Sequence, residues 1–457
     1  MTKPHSSPLG GSAETRRSFI KKSAAAAAGA LISGSIFRNT AQAQGESPRV
    51  QNVGAPNLTT GTGEKITIGM IGVGSRGFSN LRSILRFANE ANVEVAAVCD
   101  LWDKYAERAR AEAGLPPERA FLDYRKLLEL ADIDAVVIST SDQMHARIAI
   151  DALNAGKHVY LEKPFTRHLG EAFEVYDTVK KTGKTFQLGT QLASNPVWKK
   201  CAEIVQSGDL GPLVLAQASY MRNSGSRGEW NYRIDPDLKE DSIDWNAWLG
   251  PAPKREFSAD HFFRWRKYFP YCAGIIGDLI PHRLSPMLLA TGGSEYPSRV
   301  VSLGTRAIQT DREVCDNIQI VVEFPSGYAF QIIGSTVNEQ GLTDMIRGHH
   351  ATLTIGGDRI NLNPERPFAD EIDAEVFNLQ GVNAMQAHLQ NWYDCIRDGG
   401  EPISGPELAV RQQTILALAE MSERLNIMCL FDEKTRKITT GDGREIEPIT
   451  YGSLPVA

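Results

Sequence analysis

The stretch Ile66–Gly77, with the sequence ITIGMIGVGSRG, decides the fold. Its first six residues are apolar and rich in β-branched side chains, which predicts a buried strand. The strand runs into Gly72-Val73-Gly74-Ser75-Arg76-Gly77, a G-x-G-x-x-G pattern, and a helix is predicted over 76–89. The first glycine permits a tight turn, the second lets a diphosphate approach the backbone, and the third allows close helix–strand packing. The helix offers its N-terminal amides to phosphates, so the stretch predicts a dinucleotide site.

A carboxylate follows at the position where such a site binds ribose. A second apolar strand over 93–98 ends at Cys99-Asp100, and Asp100 lies 23 residues beyond Gly77. A carboxylate there accepts hydrogen bonds from both ribose hydroxyls and repels a 2′-phosphate. The sequence therefore favours NAD over NADP, and the alternative role for Asp100 is a helix N-cap.

Strand and helix patterns alternate as far as residue 191. Further buried strands are predicted over 135–138, 157–161 and 185–188, with helices between them. This alternation predicts a doubly wound parallel sheet, in which ligands lie beyond the carboxyl ends of the strands. Polar residues that follow these strand ends are candidate cofactor ligands: Thr140, His145, Glu162, Lys163 and Gln191.

From about residue 192 the alternation stops. Longer, alternating strand-like runs appear, such as 213–220 and 318–324, together with helices over 384–397 and 407–425. They predict an α+β domain with a large, mostly antiparallel open sheet. The predicted division is a signal peptide over 1–43, a linker over 44–64, a Rossmann domain over 65–191, a second domain over 192–430 and a C-terminal extension over 431–457.

The first 43 residues read as an export signal. Thr15-Arg16-Arg17-Ser18-Phe19-Ile20-Lys21 is a twin-arginine pattern, a short apolar run follows, and Ala41-Gln42-Ala43 resembles a cleavage site. The alternative is a basic amphipathic N-terminus. The twin-arginine pathway exports folded proteins, so the expected location is periplasmic in a bacterium, with the cofactor loaded before export. The apolar run is too short to span a bilayer stably.

Composition narrows the function further. The chain has 49 Lys plus Arg against 55 Asp plus Glu, a net charge of −6, which is the wrong sign for a nucleic-acid binder. Its six cysteines are scattered with no C-x-x-C pair, and the His349-His350 pair has no third ligand placed near it. No metal site, nucleic-acid partner or membrane span is expected.

The combination of Gly72–Gly77, Ser139–His145 and Glu162-Lys163-Pro164 resembles the glucose-fructose oxidoreductase / inositol dehydrogenase / MocA family. The resemblance covers nearly all of 65–430. It implies that Lys163, in the E-K-P motif, lies between the nicotinamide and the reacting hydroxyl, and that the Lys163–Pro164 bond is often cis. The implied cofactor-binding residues are Gly72, Gly74, Ser75, Arg76, Gly77, Asp100, Thr140, His145, Glu162, Lys163 and Gln191.

The second half supplies a candidate base. Asp278 and His282 are four residues apart, a spacing that puts them on one face of a helical turn and lets the Asp orient the His. They match the family pattern G-G-G-x-x-x-D-x-G-x-H, although residues 272, 273 and 280 are not glycine. The alternatives are a helix-capping Asp278 and a buried, structural His282.

Substrate contacts are predicted from two other stretches. The run Phe262–Phe269 interleaves arginines with aromatic residues and suits a sugar or a carboxylate. Tyr220-Met221-Arg222-Asn223 ends a predicted strand that is able to reach the substrate. The predicted substrate-binding residues are Arg222, Asn223, Arg264 and Tyr268.

These observations predict an NAD(P)-dependent oxidoreductase that acts on a CH–OH group of a sugar, polyol or sugar derivative. Because free NAD is not expected outside the cytoplasm, the cofactor should remain tightly bound. One alternative is an NAD-dependent glycoside hydrolase that oxidises, eliminates, hydrates and reduces, but those relatives carry E-V-P where this chain has Glu162-Lys163-Pro164. A second alternative is a non-catalytic, NAD-containing sugar-binding protein. The resemblance also implies a homo-oligomer, a dimer or a tetramer.

Overall fold

The computed structural model describes residues 48–55, 63–293 and 295–453. The predicted signal over 1–43, and part of the linker predicted over 44–64, lie outside the described residues. In the described part of the chain, no helix is both long enough and apolar enough to cross a membrane.

The strands and helices are numbered here in chain order. The strands are β1 (Arg49–Val53), β2 (Ile66–Ile71), β3 (Val93–Cys99), β4 (Ala120–Phe121), β5 (Ala135–Ile138), β6 (His158–Glu162), β7 (Phe186–Gly189), β8 (Leu213–Asn223), β9 (Arg299–Thr305), β10 (Asn317–Glu323), β11 (Ala329–Ser335), β12 (Val337–Asn338), β13 (Asp344–Gly348), β14 (Ala351–Gly356), β15 (Arg359–Pro364), β16 (Glu375–Leu379), β17 (Cys429–Asp432), β18 (Lys437–Thr440) and β19 (Glu445–Ile446). The helices are α1 (Ser75–Ala91), α2 (Asp103–Glu112), α3 (Tyr124–Leu128), α4 (His145–Asn154), α5 (Leu169–Thr182), α6 (Pro196–Ser207), α7 (Trp245–Leu249), α8 (Ala259–Phe263), α9 (Ile275–Asp278), α10 (Pro281–Ala290), α11 (Ala384–Asp398) and α12 (Pro406–Leu425).

The first sheet is the predicted Rossmann sheet. The six strands that the described residues contribute to it are all parallel, in the order β4-β3-β2-β5-β6-β7. Strand β5 is buried at every residue and β2 at all but one, because helices cover both faces of a parallel sheet. The strand order reverses direction between β2 and β5, and this is where such sheets bind ligands. The fold-class prediction is confirmed.

The second sheet is larger and mixed. Among the described residues it has thirteen strands, in the order β1-β16-β15-β14-β13-β8-β11-β10-β9-β17-β18-β19, with β12 beside β8. Most of its pairs are antiparallel, but β8 with β11 and β1 with β16 are parallel. One face packs against helices, as the alternating burial of β9 and β10 indicates.

Both predicted end segments contribute strands to this second sheet. The stretch predicted as a linker contains β1, which pairs with β16 from Arg49 to Val53. The stretch predicted as a C-terminal extension contains β18, β19 and the second half of β17, the strand that pairs with β9. Both stretches are largely polar: β1 has no fully buried residue and β18 buries only alternate residues, so neither shows the apolar run of a buried strand. The second sheet therefore includes residues from outside the predicted range 192–430.

A buried ion pair joins the two domains behind the sheets. Arg167 donates from both terminal nitrogens to Glu420 of α12, at 2.7 Å each, and both side chains are buried. Arg424 donates to the same carboxylate at 3.1 Å. Burial by itself raises the pKa of Glu420, but the Arg167 guanidinium outweighs it and lowers the pKa to about 2.

The pair predicts a pH-dependent stability. Glu420→Gln leaves Arg167 buried without its counter-charge, so we expect the free energy of unfolding at pH 7 to fall by about 3–5 kcal/mol. Since the pKa of Glu420 is depressed in the folded state, the extra stability of the wild type over Glu420→Gln is complete above about pH 4.5. It is lost as the pH falls through about 2. Urea unfolding at several pH values measures this difference. Glu445→Gln, in an exposed pair with Lys437, is the control and should change stability by less than about 0.5 kcal/mol.

Candidate active site

The glycine loop has the geometry that its motif predicts. Gly72 has a φ of +79°, and a Cβ there would lie 2.8 Å from the backbone of Thr140. A Cβ on Gly77 would overlap the carbonyl oxygen of Gly72, so the start of α1 packs against the end of β2. A Cβ on Gly74 would meet nothing closer than a Tyr105 ring carbon at 3.4 Å, and this face of the loop lines a cleft. The tight turn at Gly72, the open face at Gly74 and the close packing at Gly77 are thus the backbone geometry that the motif predicts.

The cleft lies beyond the carboxyl ends of the parallel strands and has a volume of about 1370 Å³. Residues of both domains line it. From the predicted cofactor set it contains Gly72, Gly74, Ser75, Arg76, Asp100, Thr140, Glu162 and Lys163, whereas Gly77, His145 and Gln191 lie behind its wall.

Asp100 lies at the end of β3 and faces the cleft. Its carboxylate accepts hydrogen bonds from the backbone N–H of Val73 at 2.8 Å and of Trp102 at 3.0 Å. Burial raises the pKa of Asp100 to about 6, which these amide bonds and the nearby Arg108 limit. The carboxylate therefore stays largely ionised at pH 7 and has further lone pairs for ribose hydroxyls.

Glu162 braces the glycine loop against the neighbouring strands. Its Oε1 accepts from Arg76 at 2.8 Å, from Asn80 at 3.0 Å and from Gln191 at 3.2 Å. Burial is the largest single effect and raises its pKa, but Arg76, Asn80 and Lys163 together outweigh burial and leave the pKa below its usual value. Gln191, which also donates to the Tyr160 hydroxyl, is therefore a brace and not a ligand facing the cleft.

His145 is likewise structural, which corrects the prediction that it binds the cofactor. Its Nδ1 is 2.8 Å from the carbonyl oxygen of Pro164 and its Nε2 is 3.2 Å from that of Thr140. Burial lowers its pKa to about 4, so the ring is neutral and has one N–H to donate. The shorter contact assigns that proton to the bond with Pro164. His145 thus ties the start of α4 to the turn after β6, where the Lys163–Pro164 bond is cis.

Among the described residues, five buried side-chain atoms of the cleft lining have no hydrogen-bond partner. They are Arg76 Nη2, Thr140 Oγ1, Asp142 Oδ2, Glu162 Oε2 and Arg222 Nε. Buried polar groups are normally paired, so such atoms indicate a polar ligand. Together with the open face of Gly74, this donor and acceptor set fits a nicotinamide dinucleotide.

Lys163 and Asp278 form the central ion pair of the cleft. Lys163 Nζ donates to Asp278 Oδ1 at 2.6 Å and to its carbonyl oxygen at 2.7 Å. The same Oδ1 accepts from Arg266 Nε at 2.8 Å, and Oδ2 accepts from the Trp230 indole N–H at 3.0 Å. Burial opposes ionisation of Asp278, but Arg266 and Lys163 outweigh it and hold the pKa far below its usual range.

The predicted hydrogen bond between Asp278 and His282 does not form. Helix α9 ends at Asp278 and α10 begins at Pro281, so the two residues do not share one continuous helix face. His282 lies in the cleft, with its ring centroid 5.9 Å from that of Tyr220, and within the described residues its ring makes no hydrogen bond. Burial and, next, Lys163 lower its pKa to about 3, so the ring is neutral.

Only one of the four predicted substrate residues faces the cleft. Arg222 lines it and pairs with Glu229 at 2.7 Å. Asn223 is outside the cleft and accepts from the backbone of Gly225. Arg264 and Tyr268 are also outside, because both of their side chains bind Asp260 instead.

Sequence reasoning missed several cleft residues. Arg266 and Trp265 lie within the Arg–aromatic run, but only the structure shows that these two line the cleft whereas Arg264 and Tyr268 do not. Asp142 lies in the Ser139–His145 motif and is buried, and its Oδ2 has no hydrogen-bond partner in the described part of the chain. Burial raises its pKa to about 7, against the opposing effect of Arg266 and Lys163.

Family models match both domains. One, described as the oxidoreductase family with an NAD-binding Rossmann fold (GFO_IDH_MocA), matches residues 66–190, and one for the C-terminal alpha/beta domain of that family matches 196–446. Curated relatives include a glycosyl hydrolase family 109 protein of Shewanella putrefaciens, 32% identical over 219 residues. Another is an alpha-N-acetylgalactosaminidase of Shewanella oneidensis, 31% identical over 219 residues. Each match covers 45% of this chain and 46% of the relative, about half the length of each.

Solved structures share the fold at lower identity. An aldose-aldose oxidoreductase of Caulobacter crescentus, complexed with glycerol, has a TM-score of 0.61 and 19% identity, and covers 80% of this chain and 100% of its own. A levoglucosan dehydrogenase in complex with NADH has a TM-score of 0.60 and 17% identity, and covers 79% of this chain and 98% of its own.

The position of Asp100 predicts its effect on cofactor choice. Asp100→Ala removes the acceptor for ribose hydroxyls and the charge that repels a 2′-phosphate, so NAD should bind roughly tenfold or more weakly while the preference for NAD over NADP falls. Calorimetric titration of both nucleotides into cofactor-stripped protein measures this. Asp134→Ala is a matched control, because Asp134 also accepts a backbone N–H, that of Thr67, at the opposite edge of the sheet. Unchanged affinities for both nucleotides in the Asp100 variant would contradict the assignment.

Proposed function

The chain belongs to the Gfo/Idh/MocA oxidoreductase family, and from that premise we propose that it oxidises and reduces a CH–OH group of a sugar or sugar derivative with a bound NAD. The observation that carries the proposal is the Lys163–Asp278 pair, in a cleft that also contains the glycine loop and His282. The cleft thus combines a dinucleotide site with a cation and a neutral imidazole, which are the groups that alcohol oxidation requires.

The residues that would hold the cofactor follow from the wall of the cleft. The glycine loop and the start of α1 would bind the diphosphate, Asp100 the ribose of the adenosine half, and Thr140 and Glu162 the polar groups nearer Lys163. When bound, NAD accepts a hydride from the substrate carbon and returns it in the reverse reaction. The Asp100 carboxylate supports NAD over NADP as that cofactor.

Lys163 stabilises the charge that develops on the substrate oxygen. Its ammonium group points into the cleft and is held by two oxygens of Asp278, so it is placed before substrate arrives. A fixed cation there stabilises an alkoxide and, in reverse, polarises a carbonyl. Arg266 also binds the Asp278 carboxylate, so these two cations and one carboxylate together keep a net positive charge beside the reacting oxygen.

His282 accepts the hydroxyl proton. Its ring is neutral and faces the same cleft, and the Asp278 carboxylate offsets part of the charge that the ring acquires on protonation. The departing hydride carries the electron pair of the C–H bond, and the O–H electron pair forms the carbonyl. The proton and hydride together account for both hydrogens lost by the alcohol.

A second candidate is glycoside cleavage by oxidation, elimination, hydration and reduction. It is favoured by the names of the curated relatives, which are glycosyl hydrolase family 109 proteins and an alpha-N-acetylgalactosaminidase. It requires the same hydride transfer and a further proton carrier, for which the buried Asp142 is available. Lys163, where such glycosidases have valine, favours the first candidate. Lys163 and His282 together weigh against a purely sugar-binding role.

The location and assembly are part of the proposal. A twin-arginine signal would carry the folded protein, with NAD already bound, to the periplasm. Association of copies into a dimer or tetramer would cover the outer face of the large sheet, where Val301, Leu303 and Val321 are 44–61% exposed. Exposed apolar side chains grouped on one face are typical of interfaces.

The proposal is tested by the cofactor content and by a substrate panel. Protein purified without added nucleotide should release close to one equivalent of NAD(H) on denaturation, measured by mass spectrometry. The same preparation should act on sugars, or on pairs of a sugar and a ketose or lactone, with no cofactor supplied. Cleavage of glycosides without net redox change would select the second candidate. Protein that neither contains nor binds NAD(H) would overturn the proposal.

Lys163 should be essential to turnover and dispensable for binding. We expect Lys163→Ala to lower kcat by at least about 10²-fold on the best substrate of the panel, because the fixed cation is lost, while NAD(H) stays bound. Lys65→Ala is the control, since this lysine makes an exposed pair with Glu94 away from the cleft. Steady-state kinetics and the cofactor content of each variant measure both effects. Full activity of Lys163→Ala would remove Lys163 from the mechanism.

A further inference from the structure

Residues 230–271 of the second domain, named here the strap, contain most of a third hydrophobic core. That core is separate from those of the two sheets and is largely aromatic. Its buried members within the strap are Leu238, Ile243, Trp245, Trp248, Leu249, Ala252 and Tyr271. The one buried member from the Rossmann domain is Trp102, two residues beyond Asp100.

Both ends of the strap are fixed at the catalytic ion pair. Near its start, the indole of Trp230 donates to Asp278 Oδ2 at 3.0 Å. Near its end, Arg266 donates to Asp278 Oδ1 at 2.8 Å. The strap therefore leaves from Asp278, passes along the cleft and returns to Asp278.

The middle of the strap is fixed beside Asp100. Lys104 of α2 donates to Asp235 at 2.7 Å and to Asp237 at 2.6 Å. Trp102 forms a backbone bridge with Ile243, and its ring contacts those of two strap phenylalanines with centroids 5.9 and 6.2 Å away. These contacts attach the strap to the residues that directly follow the ribose-binding carboxylate.

A second attachment lies on the opposite wall of the cleft. Gln143, in the short 3-10 turn Asp142–Met144 that follows β5, donates to the carbonyl oxygen of Trp248 at 3.0 Å. Gly250 lies against Met144 so closely that a Cβ would overlap its sulfur. Between the two attachments the strap itself forms cleft wall, through Asp244, Asn246, Ala247 and Lys254.

We propose that the strap is a second cofactor-binding wall, which covers the adenosine half of the bound dinucleotide and prevents its release. This inference rests on the proposed function and explains how a cofactor stays bound through turnover. Release would require the strap to leave both attachments, and a step of that kind acts on the dissociation rate more than on the association rate. The glycine loop and Asp100 alone hold only the Rossmann side of the dinucleotide.

The attachment at Lys104 gives a test that leaves the cores intact. Lys104 is about half exposed, so Lys104→Glu should fold, while it places three carboxylates together and repels the strap. Holoprotein is incubated with excess isotope-labelled NAD, and the half-time for exchange of the bound nucleotide is followed by mass spectrometry. We expect exchange in Lys104→Glu to be roughly fivefold or more faster than in the wild type.

Two further variants decide the cause. Lys65→Glu reverses a similarly exposed lysine paired with Glu94, outside the strap, and should exchange at the wild-type rate. The triple variant Lys104→Glu with Asp235→Lys and Asp237→Lys restores opposite charges and should restore slow exchange. Wild-type exchange rates in Lys104→Glu, with NAD(H) present in the wild type, would overturn the strap and leave the proposed function standing. A wild type that takes up no NAD(H) would overturn both.

Discussion

The site depends on one buried carboxylate, that of Asp278. It brings together an ammonium from the Rossmann domain, a guanidinium and an indole from the strap. Moving a carboxylate out of water is unfavourable, and the loss is recovered only when several well-placed donors surround it. Three donors within 3.0 Å meet that condition, so Asp278 remains ionised in a buried place. The contact at Asp278 therefore fixes the position of Lys163, from the Rossmann domain, relative to the groups of the second domain.

Glu162, the residue before Lys163, supports the cofactor side of the cleft as Asp278 supports the substrate side. Glu162 is the last residue of β6 and Lys163 follows it, and successive side chains along a strand point to opposite sides. Glu162 turns toward the glycine loop, where it binds Arg76 and Asn80. Lys163 turns toward the second domain and binds Asp278. The end of β6 thus supplies one charged side chain to the cofactor side of the cleft and one to the substrate side. This is a physical reason for Glu162 and Lys163 to be adjacent in sequence.

The sequence predicted which region forms the site better than which side chains face it. The strand-end rule placed Thr140, Glu162 and Lys163 in the cleft, because parallel strands end at one edge. The same rule also selected His145 and Gln191, whose side chains turn inward to bind neighbouring strands and turns. Position along the chain determines the edge on which a residue lies, whereas the direction of its side chain depends on partners that are distant in sequence.

The four-residue spacing of Asp278 and His282 gave a wrong prediction of their contact for a related reason. A four-residue spacing places two residues together only on an unbroken helix, and the chain breaks between Asp278 and Pro281. Asp278 then binds cations 12 and 115 residues away, Arg266 and Lys163. Charge attraction over such separations leaves no periodic signal. The choice of Arg266 over Arg264 follows from the short turn of 265–267, which directs the two arginines differently.

At the start of the strap, the backbone adopts a strained conformation that places the Trp230 indole against the Asp278 carboxylate. Trp230 has a φ of +58°, a left-handed conformation that bulky side chains rarely adopt and that costs on the order of 1–3 kcal/mol. Its indole is buried, donates to Asp278 and lies beneath the Arg312 guanidinium, 5.7 Å from the ring centroid. The proposed release of the cofactor opens the middle of the strap, at Lys104 and Gln143, and not its ends. Trp230 and Arg266 therefore stay on Asp278 while the cofactor leaves, so the strained anchoring at the start of the strap serves the reacting groups rather than the cofactor.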